Sequence, residues 1–314
     1  MKSFASAATV IVLALALLVS CGGQEKLSMK LALTVGDIHH LRLITDQQIV
    51  QEIMGQKQEV SQKIAMGYMY EVKKMTDEGN ALVQVTYQTI QFDQTSPQGT
   101  VHFDSEQPAD SIPPGAMGLA ALVGQSFDML VAPSAHIIEI QGIDQLITHM
   151  MEKLGVPTDS TGNRVRVSLE EQFGGDALKE AMENLMAIYP EKSVSVGETW
   201  TATRNITKGF PMKIDNTLTF KERADGVATI AVDAVISSNQ DVPPLQMGQL
   251  QVAYDVSGTQ TGTVQIDEQS GWIIHAEQVQ KVSGNMNVLP NPQMPDGMSW
   301  PISMTTTATV DKFE

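Results

Sequence analysis

The stretch IAMGYMYEVKKMTDEGNALVQVTYQ, residues 64–88, alternates along its length on both sides of an acidic turn. Ile64, Met66, Tyr68, Tyr70 and Val72 share one side of an extended chain, and Ala65, Gly67, Met69, Glu71 and Lys73 share the other. Successive strand side chains point to opposite faces, so this pattern buries one face and leaves the other outside. After the turn Thr76-Asp77-Glu78-Gly79 the alternation resumes, with Ala81, Val83, Val85 and Tyr87 set against Gln84, Thr86 and Gln88. Two alternating runs around a glycine-containing turn predict a β-hairpin.

Working outward, the second half repeats the pattern. Leu218 and Phe220 lead into the turn Ala224-Asp225-Gly226, and Ala228, Ile230, Val232 and Ala234 follow on one face. Setting Gly79 on Gly226 places Ala81 on Ala228, Val83 on Ile230 and Val85 on Val232. Upstream, Val35-Gly36-Asp37 matches Val196-Gly197-Glu198; the first half is longer between these points, and the surplus falls in residues 47–62, which predicts a longer hairpin there. Downstream, Phe127, Met129 and Val131, the turn Pro133-Ser134, then Ile138 and Ile140 correspond to Val264 and Ile266, the turn Ser270-Gly271, then Trp272, Ile274 and Ala276. Ordered agreement of these features predicts an internal duplication of antiparallel β-meanders, residues 28–155 with a helix and residues 190–314.

Helices are expected between the strands. Ile143, Leu146, Ile147, Met150, Met151 and Leu154 recur at helical spacing, as do Leu178, Ala181, Met182, Leu185, Met186 and Tyr189. Gly155 and Pro157 stop the first of these, Pro190 stops the second, and a short apolar stretch at 116–123 is a third candidate. Residues 156–189 therefore read as a helical connection. The expected fold class is α+β: duplicated meanders forming a curved sheet or half-barrel packed by helices.

The N-terminus carries an address. Met1-Lys2-Ser3 precedes an apolar run from Ala7 to Val19, then small residues and Cys21, the single cysteine of 314 residues. A basic start, an apolar core and a small-residue cleavage site make an export signal, here residues 1–20. An exported chain free to form disulfides nevertheless has no second cysteine. Leu18-Val19-Ser20-Cys21 resembles the bacterial lipobox, which implies lipidation at Cys21, a tether over residues 21–27 and a membrane partner engaged through the acyl chains. By resemblance to Gram-negative lipoproteins, Gly22 in place of the aspartate that favours inner-membrane retention implies the outer membrane, facing the periplasm. The formal charge of −16 makes nucleic acid an unsuitable partner.

Pro190-Glu191-Lys192-Ser193-Val194-Ser195-Val196-Gly197-Glu198-Thr199-Trp200 resembles a family of uncharacterised bacterial lipoproteins that share a P-x-x-x-V-x-V-G-[DE]-x-W segment entering the second β-region. Ser96-Pro97-Gln98-Gly99, Gly124-Gln125-Ser126-Phe127 and Gly262-Thr263-Val264 running on to Gly271-Trp272 fit the same family. Ala135 stands in a turn where glycine is expected. The resemblance implies no activity. At the level of fold alone, strands wrapped around helices are similar to the half-barrels of periplasmic lipoprotein carriers.

No G-x-S-x-G segment occurs, an acylated Cys21 is no nucleophile, and H-E-x-x-H, calcium-loop and phosphate-loop patterns are missing. His39 and His40 are adjacent, so on a strand they face opposite ways and are ill placed to share a metal. The expectation is a protein with no catalytic residues, no metal and no cofactor. What remains is methionine, 18 in all. Met150, Met182 and Met186 on apolar helix sides, facing Met66, Tyr68 and Tyr70 on the sheet, either fill a core or line a pocket for an apolar or lipid-like ligand. The expected function is a membrane-anchored, non-catalytic binding module of the cell envelope; the alternative is an envelope scaffold that binds protein partners without a small ligand.

Overall fold

The computed structural model describes residues 26–107, 111–157, 159–207, 210–247, 250–292 and 294–313. The signal segment, Cys21 and most of the tether lie outside them. The elements run β1 (Ile38–Ile53), β2 (Gln56–Met75), β3 (Ala81–Ser96), β4 (Gly99–Asp104), α1 (Met117–Leu122), β5 (Ser126–Val131), β6 (Ile137–Gln141), α2 (Ile143–Lys153), α3 (Ser160–Phe173), α4 (Gly175–Met186), β7 (Thr199–Ile206), β8 (Met212–Ala224), β9 (Val227–Ser238), β10 (Leu245–Met247), β11 (Leu250–Asp267), β12 (Ile273–Val288) and β13 (Met298–Lys312). They build one open antiparallel sheet in the order β6-β5-β3-β2-β1-β13-β12-β11-β9-β8-β7, with β4 beside β3 and β10 beside β11.

Each half is a meander, and pairing of β1 with β13 joins the halves into one sheet. The duplication extends to single hydrogen bonds. In the first half the Gly36 N–H donates to Val72 O (2.9 Å) and the Val72 N–H to Asp37 O (2.9 Å). In the second, the Gly197 N–H donates to Phe220 O (2.7 Å) and the Phe220 N–H to Glu198 O (3.0 Å). The acids close the same turn, Asp37 accepting from the Thr34 N–H and Glu198 from the Ser195 N–H, both at 2.7 Å. Both turns need a left-handed residue, φ +93° at Gly36 and +91° at Gly197, which glycine adopts without a Cβ penalty. One irregularity coincides as well, the register slipping between Val72 and Lys74 in one half and between Phe220 and Glu222 in the other, while the slip between Gly67 and Tyr68 belongs to the first half alone. The surplus in the first half lengthens the β1–β2 hairpin, as its sequence requires, around the turn at Met54-Gly55. Ala135 occupies its turn at φ +66°, left-handed without glycine.

The helices pack on one face of the sheet. Leu146, Ile147 and Met150 of α2 and Leu178, Met182 and Met186 of α4 are buried, which is the apolar spacing seen in the sequence. The helix α3 escaped that spacing argument because it is largely polar, with Leu169 buried. The helix α4 contacts both edge strands, β6 and β7. Lys179 Nζ donates to Ile138 O on β6 (3.3 Å), and Glu180 accepts from the Thr207 N–H just beyond β7 (2.7 Å). A helix across the open seam supplies partners to edges that would otherwise invite another strand.

One end of the curved sheet is closed. Leu27 pairs with Val194, the Leu31 N–H donates to Pro133 O and the Ala32 N–H to Ser270 O, each through a 2.8 Å bond. This strap therefore ties together the two turns that the duplication equates, and Met29 and Leu31 are buried beneath it.

Candidate functional site

Strand register decides what lies on the concave face. One rung runs without a break from β3 to β7: Gln94 opposite Gln62, Gln62 opposite Gln47, Gln47 opposite Thr306, Thr306 opposite Gln280, Gln280 opposite Gln260, then Ala234, Asn216 and Ala202. It is polar for most of its length. On its near side is the large core under the helices, and beyond it is a second apolar cluster that includes Ile214, Ile236, Val256, Val282 and Met304. Amides in such a place need one another to offset lost water. Gln94 donates to Gln62 Oε1 (3.4 Å), Gln47 to Thr306 Oγ1 (3.2 Å) and Gln260 to Gln278 Oε1 (2.9 Å), while Asn216 donates to Ala202 O (3.0 Å).

Where this belt meets α4 there is a cavity of about 300 Å³. Its apolar wall is drawn from Leu43, Leu185, Ile188, Val264, Ala276 and Val310, and its polar wall from Asn216, Gln260, Gln278 and Arg204. Arg204 sits on β7, where TWTATRNI alternates so that Trp200, Ala202, Arg204 and Ile206 face inward. Its Nη2 donates to Gln260 Oε1 at 2.9 Å, whereas its Nε is buried without an acceptor among the described residues. Burial lowers the guanidinium pKa. A small apolar volume with one convergent cation is the usual form of a site for an amphiphilic small molecule.

The six residues that the sequence singles out lie elsewhere. Tyr68, Tyr70, Met150, Met182 and Met186 are members of the packed core, and Met66 packs against it; none lines the cavity. Tyr68 and Tyr70 are links in an aromatic chain from Phe127 through Tyr87, Tyr68 and Tyr70 to Trp272 and His39, with neighbouring centroids 4.7–6.1 Å apart. Desolvation pushes the phenols of Tyr68, Tyr70 and Tyr87 upward, so they stay neutral. The alternation of TWTATRNI could have exposed Arg204, because a charged residue there shares the face of Trp200 and Ile206.

His39 and His40 face opposite sides of β1. His39 stacks on Trp272, ring centroids 4.7 Å apart, and His40 bonds Gln88 at 2.8 Å and meets the edge of Phe313. Among the described residues, no three His, Cys, Asp or Glu side chains converge as a metal site. Desolvation is the largest influence on His39 and lowers its pKa from 6.5, with Asp37 and Asp267 opposing and Lys312 and His40 adding to the fall. The unfolded chain then takes up the proton more readily than the folded one, so His39's contribution is complete above pH 6.5 and is lost as pH falls towards the lower folded value. The urea midpoint is expected to drop between pH 7 and pH 5.5, and less so in His39→Gln; equal drops in both proteins would remove His39 as a cause.

A family model described as "Family of unknown function (DUF6263)" matches residues 78–273, which include the whole of the 190–200 segment. No curated protein matches the chain. Among solved structures, lipovitellin, determined for its lipid–protein interactions, aligns over 90% of this chain at 9% identity and a TM-score of 0.47, and the chain spans only 25% of lipovitellin's length. Pseudomonas aeruginosa OccK2 in complex with glucuronate aligns over 90% of this chain and 100% of its own at 3% identity and a TM-score of 0.21. OmpT, an outer membrane protein of Vibrio cholerae, aligns over 89% and 100% at 9% identity and a TM-score of 0.20.

Proposed function

We propose that this chain, which belongs to the DUF6263 family of unknown function, is a non-catalytic binding module of the bacterial cell envelope that holds an apolar or lipid-like ligand between its concave sheet and α4. The observation that carries the proposal is the cavity of about 300 Å³ whose wall is mostly aliphatic. Apolar surface left facing such a space recovers its transfer free energy, about 25 cal/mol per Å², only when something apolar fills it. The N-terminal segment supports the rest of the proposal: Leu18-Val19-Ser20-Cys21 after an apolar run would place the module on a membrane through acyl chains at Cys21, exported and facing the periplasm from the outer membrane.

The test uses N-phenyl-1-naphthylamine, a neutral dye that brightens in apolar surroundings, with the full-length protein. Saturable binding of one dye per chain is expected, and Leu185→Trp, which fills the cavity from α4, is expected to weaken it at least tenfold. Met182→Ala serves as the control, since Met182 is buried in the core outside the cavity and should alter stability more than dye binding. Failure of the dye to bind, or binding indifferent to Leu185→Trp in a folded protein, would sink the cavity as the site.

A further inference from the structure

We infer that the ligand of this cavity is an acidic amphiphile, a single-chain carboxylate whose anionic group pairs with Arg204 while its hydrocarbon lies against Leu43, Val264, Ala276 and Val310. The inference rests on the proposed binding function and adds the chemistry of the headgroup. A guanidinium partly withdrawn from water, as half-buried Arg204 is, gains from a counter-charge that meets the N–H it cannot show to solvent. Among the described residues Arg204 has the neutral amide oxygen of Gln260 at 2.9 Å, and its Nε, buried, has no acceptor. Nor is Gln260 free to turn away. Its Nε2 donates to Gln278 Oε1 at 2.9 Å, which fixes its oxygen towards the arginine. Asn216 is held in the same manner, donating to Ala202 O and Ile214 O. The polar wall is thus a pre-oriented cradle with one positive charge and a donor left over, and a planar carboxylate satisfies a guanidinium fork.

Size narrows the ligand further. At about 30 Å³ for a water-sized group, a volume of about 300 Å³ accommodates roughly ten such groups, which is one medium-length chain rather than a two-chain phospholipid. Apolar side chains across from Arg204 give that chain its place, and the polar belt marks where it must end.

Decanoate and decanol, equal in length and unequal in charge, are the probes, each measured by displacement of N-phenyl-1-naphthylamine from the full-length protein at pH 7. Decanoate is expected to compete at least tenfold better than decanol, and Arg204→Gln should erase that advantage; Arg204→Lys should retain part of it. The wild-type protein offers a measurement that needs no variant: below about pH 4 the acid is neutral and its preference over decanol should vanish. Equal competition by the two probes, or decanoate binding indifferent to Arg204→Gln, overturns the carboxylate while leaving the cavity intact. If the dye itself does not bind, the cavity fails as a site and the carboxylate fails with it.

Discussion

Gly262→Ala is expected to destabilise the protein by about 3 kcal/mol, the upper end of what overpacking usually costs. Gly262 lies on the concave side of β11, opposite Gln278 of β12. A Cβ there would stand 2.2 Å from Glu277 O and 2.8 Å from Gln278 Cα. Both are backbone atoms of the paired strand, so neither can rotate out of the way, and relief requires the ladder between β11 and β12 to shift. The same close approach recurs twice on this strand pair, with Lys281 O 2.1 Å from a Cβ at Gly258 and Asp255 O 2.0 Å from one at Gly284. Three such positions on two adjacent strands show that at Gly258, Gly262 and Gly284 the facing backbones approach too closely to admit a Cβ. Glycine is the sequence's means of bending a sheet that must wrap a core. Gly118 of α1 is the contrast: a Cβ there meets nothing within 4 Å, and Gly118→Ala should be neutral or stabilise by up to about 1 kcal/mol through helix propensity. Urea unfolding followed by tryptophan fluorescence measures both. A midpoint for Gly262→Ala equal to that of the wild type would mean that the strand pair opens at little cost.

Those glycines also show what was legible in the sequence and what was not. Alternation in residues 64–88 and its counterpart after Gly226 identified the paired meanders, because the burial period of a strand is written in consecutive residues. Equivalent turns at Gly36 and Gly197 were visible for the same reason. Spacing of the apolar residues in α2 and α4 was equally local. The joining of the halves was not: Leu43 pairs with Val310 and Ile49 with Met304, and no short window contains both partners. Register is likewise non-local, and so the polar belt, whose members are scattered as Gln47, Gln62, Gln94, Gln260 and Gln280, becomes a single feature only after the strands are aligned. The methionines on the helices carried a real signal of burial. They did not distinguish a filled core from a space, since both demand apolar side chains. Arg204 was the residue that could have made the distinction, a charge on a face that otherwise carries Trp200, Ala202 and Ile206.

Trp272→Ala should cost about 3–5 kcal/mol, the range for removing a large aromatic side chain from a core. Trp272 is 2% exposed and stands between His39, stacked at 4.7 Å, and Tyr70, edge-on at 5.1 Å. It follows Gly271, whose carbonyl accepts a 2.6 Å bond from the Tyr189 hydroxyl and whose Cα lies so close to the strap that a Cβ would be 1.9 Å from Lys30 O. The strap and the end of the helical connection meet at Gly271, and the start of β1 and the middle of β2 meet at the indole that follows it, so four segments converge on this corner. A cavity at that point is bordered by several segments at once, so filling it requires more than one of them to move. The indole N–H is buried without a partner, so Trp272→Phe removes volume but no hydrogen bond and should cost distinctly less than Trp272→Ala. The closed end would then behave as a keystone of the whole sheet, and the two variants should unfold in single transitions at lowered urea midpoints. If Trp272→Ala instead detached the strap early, in a separate transition with the main midpoint unchanged, the closed end would be a lid laid on a sheet that stands without it.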